Sequence, residues 1–186
     1  GIYAYVMLQC FELTGDDRYI HEARNAIDKA KELRFDLLYQ ANLTVWGAVA
    51  CLRLWRITGD KSYLAQSYAY LAGFFHNGTI WQSRIGTAQH FDHFMGVICL
   101  HDAPYMAMYE CFESFAGFEE YLGQAGPDLD PAARMLVSEF CKYTLHRAWF
   151  YYPDNLPEDA IQSGDHQSGV INRKLSFPLE DLYPDG

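Results

Sequence analysis

One turn, written twice, limits what this chain can fold into more than any other feature. Leu13-Thr14-Gly15-Asp16-Asp17-Arg18-Tyr19-Ile20 returns 44 positions later as Ile57-Thr58-Gly59-Asp60-Lys61-Ser62-Tyr63-Leu64. Upstream, Ala4 matches Ala48, Leu8 matches Leu52 and Phe11 matches Trp55 in the same register. A glycine just past a helix end permits positive φ, and an aspartate just after it can cap the next helix. Each Thr-Gly-Asp therefore joins two helices tightly, and a period of this size means stacked helical pairs.

The helices on either side of the turn differ in kind. Residues 16–34 place Tyr19, Ala23, Ala26, Ile27, Ala30 and Leu33 on one face, while Asp17, Glu22, Arg24, Asp28, Lys31 and Glu32 cover the other. That helix has one wet side. Residues 43–57 are apolar almost all round, through Leu43, Val45, Trp46, Val49, Leu52, Leu54, Trp55 and Ile57. A helix of that composition is surrounded by protein. A third pair is expected at 103–122 and from Pro131 to about residue 151, joined by a loop over 123–131. Between the second and third pairs lies a long insertion, residues 78–101, with Asn77-Gly78 read as the left-handed end of the preceding helix. After residue 152, Pro153, Pro157, Gly164, Gly169, Pro178 and Pro184 mark an irregular tail with one short strand expected at 169–171. The fold class is all-α: a single domain over 1–186 of inner and outer α-hairpins, six helices in all, with 152–186 irregular.

Composition narrows the partners. There are 24 acidic and 14 basic side chains, a net charge of −10. Such a surface repels phosphate backbones, which argues against nucleic acid. No apolar run reaches the roughly 18 residues that span a bilayer, and the start lacks the basic segment and cleavage site of a signal peptide. The five cysteines, Cys10, Cys51, Cys99, Cys111 and Cys141, never form a Cys-x-x-Cys pair and mostly fall in apolar helical stretches. They read as small buried hydrophobes and favour a reducing, cytoplasmic setting. The chain opens at Gly1-Ile2-Tyr3 with the apolar pattern already running and closes on the turn signal Pro184-Asp185-Gly186. A piece of a longer or processed polypeptide is the expectation.

In a helical-hairpin array the tight turns close one rim, and the long connections at the other are free to carry function. The aspartates of the Thr-Gly-Asp turns are therefore caps, and candidates come from residues 35–42, 78–102 and 151–186. The densest group is Gln89-His90-Phe91-Asp92-His93, followed by His101-Asp102. A carboxylate beside an imidazole can orient it and raise its basicity, as a general acid/base requires. His90, Asp92 and His93 do not place three ligands on one helix face, so no metal is expected there, and no cofactor elsewhere. Asp165 and His166 sit between glycines in a polar loop. Glu110 follows an apolar run, and an acid on a buried helix must pair, line a cavity or be protonated. Trp81, in the long connection, is the tryptophan placed to stack on a sugar ring; Trp46, Trp55 and Trp149 fall at core spacing.

The Thr-Gly-Asp-x-x-Tyr-[Ile/Leu] turn, repeated at this spacing between an inner and an outer helix, resembles the six-hairpin (α/α)6 toroids: glycoside hydrolases, unsaturated-glucuronyl hydrolases, sugar 2-epimerases and their relatives. The resemblance covers residues 4–75 well and 103–150 loosely. It implies a carbohydrate-active enzyme working on an oligosaccharide or small sugar. A complete toroid has twelve helices and this chain supplies about half, which leaves the remainder to the same polypeptide or a partner subunit. Glycoside hydrolysis would need paired carboxylates, drawn from Asp92, Asp102, Asp165 and Glu110. An epimerase would use histidines, drawn from His93, His101 and His166. In either case Trp81, His90 and His166 are the substrate-binding candidates. A non-catalytic helical-repeat scaffold and an α/α-barrel acting on a terpenoid are the readings from other classes.

Overall fold

The computed structural model describes residues 1–31, 33, 40–76, 78–81, 94–97 and 108–147. Six helices dominate the described residues: α1 (Ile2–Thr14), α2 (Arg18–Ala30), α3 (Ala41–Thr58), α4 (Lys61–His76), α5 (Met108–Gln124) and α6 (Pro131–Arg147). A short antiparallel ribbon, β1 (Gly78–Trp81) with β2 (Phe94–Val97), separates α4 from α5 and pairs Gly78 with Val97 and Trp81 with Phe94. None of the described helices is long and apolar enough to cross a membrane.

The repeated turn is the same structure twice. Gly15 and Gly59 take φ of 69° and 73°, and their N–H groups bond the carbonyls of Phe11 and Trp55 at 2.8 and 2.7 Å. Any side chain at these left-handed positions would be strained. Thr14 and Thr58 turn their hydroxyls back onto the carbonyls of Cys10 and Leu54, each at 2.7 Å, and accept the N–H of Asp16 and Asp60, each at 3.2 Å. Asp16 Oδ1 then accepts the Arg18 N–H at 3.0 Å, and Asp60 Oδ1 the Ser62 N–H at 2.8 Å. The side-chain bond from Arg18 holds the Asp16 carboxyl below the usual range, and the Ser62 backbone bond does the same for Asp60. Both aspartates are caps, as the sequence predicts. Asp130 repeats the device before α6, taking the Ala132 N–H at 2.8 Å with Pro131 in the first helical position.

Helix α3 is the surrounded one: twelve of its eighteen residues are buried, including Val45, Ala48, Val49, Cys51, Leu52 and Leu54. It packs against α1, α4 and α5, while α2 pairs with α1 and α6 with α5. Contacts along α3 run in order: Gly1 abuts Leu43 and Gly47, Tyr5 meets Trp46, and Glu12 reaches Arg53. On its other side Asn42, Val45 and Arg56 meet Glu113, Gly117 and Gly126. Helices α1, α3 and α5 therefore lie side by side and parallel.

Two glycines set how closely α3 is approached. A Cβ at Gly47 would lie 2.5 Å from the Tyr70 ring on α4, and one at Gly117 would lie 2.6 Å from Val45 Cγ1. Behind this layer, Phe74, Phe118 and Phe140 form a triad of edge-on rings at 4.7–5.4 Å that ties α4, α5 and α6 together.

The structure differs from the sequence reading at two places. Of the predicted third helix, 103–122, residues 108–122 are helical and 103–107 lie outside the described residues. Gly78 starts a strand and pairs with Val97, in place of the left-handed helix end that Asn77-Gly78 suggests. The ribbon itself carries no hairpin signature: each strand has four residues and twelve intervene, too many for a tight-turn motif. The strand expected at 169–171 and the tail over 152–186 lie outside the described residues.

Candidate functional site

The helix N-termini of the parallel layer gather polar side chains on one edge. Glu113, half-buried on α5, accepts two N–H bonds: from Trp46 Nε1 at 2.8 Å and from Asn42 Nδ2 at 2.7 Å, both on α3. One turn earlier, Glu110 Oε1 accepts Gln40 Nε2 at 3.2 Å. An i, i+3 pair on a helix has its Cβ atoms about 5–6 Å apart, so the two carboxylates are neighbours. Glu110 also lies in the first turn of α5, where the helix dipole favours negative charge.

An aromatic wall adjoins them. The Tyr5 and Trp46 rings are 4.5 Å apart, tilted by 40°, and both side chains are half-buried. The Tyr5 hydroxyl donates to Glu120 Oε2 at 2.7 Å and accepts Gln9 Nε2 at 2.7 Å. Burial first, then the bond to Glu120, raises the Tyr5 phenol above its ordinary value. Below lies Arg53, only 3% exposed, which pairs with Glu12 at 2.6 Å and Glu120 at 3.7 Å and lies 5.4 Å from the Tyr5 ring centroid. A guanidinium this dry needs such partners, and both carboxylates reach it from flanking helices.

Along α5, Glu110, Glu113, Gly117 and Glu120 face α3 and the residue that precedes it, a polar row broken by one glycine. The sequence reading selects Glu110 and misses Glu113, Glu120 and Arg53. The i, i+3, i+10 spacing of acids on that helix was the signal available. Trp46, assigned to the core, is half-buried with its indole N–H spent on a carboxylate.

Of the other predicted site residues, Trp81 ends β1, and its side chain is outside what is described. His90, Asp92, His93, His101, Asp102, Asp165 and His166 all lie outside the described residues. Among the described residues no three His, Cys, Asp or Glu side chains cluster to hold a metal ion. Among the described residues an open cavity of about 280 Å³ lies elsewhere, between α4 and α6, lined by Tyr68, Leu71, Phe75, Ala133 and Leu136. The carboxylate that lines it, Asp130, is occupied in capping α6.

Comparison with known proteins finds no matching family model, no matching curated protein and no matching solved structure.

Proposed function

We propose that the chain is a carbohydrate-active enzyme of the α/α-toroid type, with α1, α3 and α5 as inner helices and glycoside hydrolysis by paired carboxylates as its chemistry. The observation that supports it is the Glu110–Glu113 pair beside the Tyr5–Trp46 wall, at the helix ends next to the long connections. A sugar offers an apolar face and a rim of hydroxyls, and this edge offers aromatic rings flanked by acids and amides in the same order. Both Glu113 oxygens already accept N–H bonds, which fixes their direction and suits a positioned base or nucleophile. The proton-donating partner then comes from Glu110 or from Asp92, Asp102 or Asp165 in the long connections. Hydrolysis by two carboxylates needs neither metal nor cofactor.

The test is turnover of a panel of neutral aryl glycosides by wild type, Glu113→Gln and Glu110→Gln. The proposal expects Glu113→Gln to lower kcat/KM at least a hundredfold while leaving the far-UV circular dichroism and thermal midpoint unchanged. Equal turnover in all three, or none in wild type across the panel with no sugar bound, contradicts it.

A further inference from the structure

Helices α4 and α6 run alongside each other in the same direction without closing together. Tyr68 meets Asp130 just before α6, and further along both helices Phe74 meets Phe140. Between these two contacts lies the cavity of about 280 Å³. Its origin is in the sequence. Each helix lines the gap with an alanine, Ala72 and Ala133, where a larger apolar side chain would close it. A void forfeits the dispersion contacts its walls would otherwise make, so the fold carries this gap at a cost. The walls are fixed in advance. Phe75 stacks parallel on Phe118 at 5.9 Å, the Tyr68 hydroxyl accepts the Asp130 N–H at 2.9 Å, and Arg134 Nη2 donates to the Gly126 carbonyl at 2.8 Å.

Size and lining name the class of occupant. A cavity of about 150 Å³ lined by Leu, Ile and Phe holds benzene, so 280 Å³ has room for about two rings. Tyr68 and Phe75 stand seven residues apart on α4, which makes a slot about 10 Å long with an aromatic ring toward each end. Asp130, the one charged residue of the lining, spends its carboxylate on the Ala132 N–H. The Tyr68 hydroxyl has accepted one bond and has its own proton to donate. We infer that this pocket binds one small, neutral, two-ring aromatic molecule whose hydrogen-bond acceptor takes the Tyr68 proton. The pocket lies between α4 and α6, apart from the Glu110–Glu113 edge on α5, and the inference stands whether or not the carbohydrate reading does.

Quinoline, two fused rings with an accepting nitrogen, is the probe. Titrated into the intact chain at neutral pH, it should bind with Kd of about 0.1–1 mM, an ordinary affinity for a ligand this small. Its protons should show nuclear Overhauser contacts to the methyls of Ala72, Ala133 and Leu136. Ala72→Phe, at an exposed position on the rim, should weaken binding at least tenfold with unchanged circular dichroism. Ala133→Phe should do the same from the opposite wall. Indene, of similar size but with no acceptor, should bind at least threefold more weakly than quinoline, and octan-1-ol, a flexible chain, more weakly still. Failure of quinoline to bind at several millimolar overturns the inference. So does binding that survives both phenylalanine variants, which would place it elsewhere. Indene equal to quinoline, or octan-1-ol tighter than either, would overturn it as well, the last by marking the gap as a site for an aliphatic chain.

Discussion

Replacing Gly117 with alanine tests how the acidic row of α5 is held against Trp46. The added Cβ would lie 2.6 Å from Val45 Cγ1 and 3.7 Å from Trp46 Cδ2. Val45 is fully buried and β-branched, so it cannot turn away freely. Overpacking of this kind costs about 1–3 kcal/mol, and the gain in helix propensity from glycine to alanine returns about 1, for a net loss of about 1 kcal/mol. Val45→Ala alone removes two methyl groups, at about 0.8 kcal/mol each plus a cavity term, or about 2 kcal/mol. Together the two changes exchange two buried methyl groups for one, without the clash. The double variant should lose about 1 kcal/mol, against about 3 for the sum, a coupling of about 2 kcal/mol. Urea denaturation of the four proteins measures it. Additive losses would show that α3 and α5 do not approach at this point, and the Glu113–Trp46 geometry would fall with it.

The repeated caps predict a pH signature. The Asp60 carboxyl is held below its ordinary value of 3.8 by the Ser62 N–H, so its contribution is complete above that value and is lost as pH falls through the folded pKa. The thermal midpoint gap between wild type and Asp60→Ala should be full at about pH 6 and shrink steadily below pH 3.8. A gap that widens on acidification would refute the capping role. Cysteine chemistry gives a second check. Burial pushes the Cys51 thiol far up, while Cys10 is only half-buried, so peptide mapping after mild alkylation should find Cys10 modified and Cys51 protected until denaturant is added. Phe118→Ala, at the centre of the fully buried ring cluster, should cost about 3–5 kcal/mol by urea denaturation. A loss under about 1 kcal/mol would mean that the aromatic triad does not tie the helices together.

The hairpin turns were legible in the sequence because their chemistry is local. A threonine that bonds back, a glycine at positive φ and an aspartate that caps need no tertiary context, and both copies fold alike. Burial of α3 followed from its composition, which offers solvent no polar face. The same argument fails for α1, equally apolar yet buried only at Ala4 and Leu8, because composition records what a helix needs and not how many neighbours it has. Glu110 was legible as an acid on an apolar helix. Glu113 and Trp46 were not, since each reads alone as a solvated acid and a core ring, and only the packing of α5 on α3 joins them. The ribbon was missed because its strands are short and far apart in sequence, so the pairing lies in tertiary structure.

The central claim is that the Tyr5–Trp46 edge of the parallel layer receives sugar. The chain has four tryptophans, so a ¹⁵N correlation spectrum shows four indole signals. Titration with neutral oligosaccharides should shift the Trp46 indole N–H, which donates to Glu113, and leave buried Trp55 unmoved, and Glu113→Gln should abolish the response. A saccharide that binds without moving Trp46, or a panel in which none binds, would contradict the account.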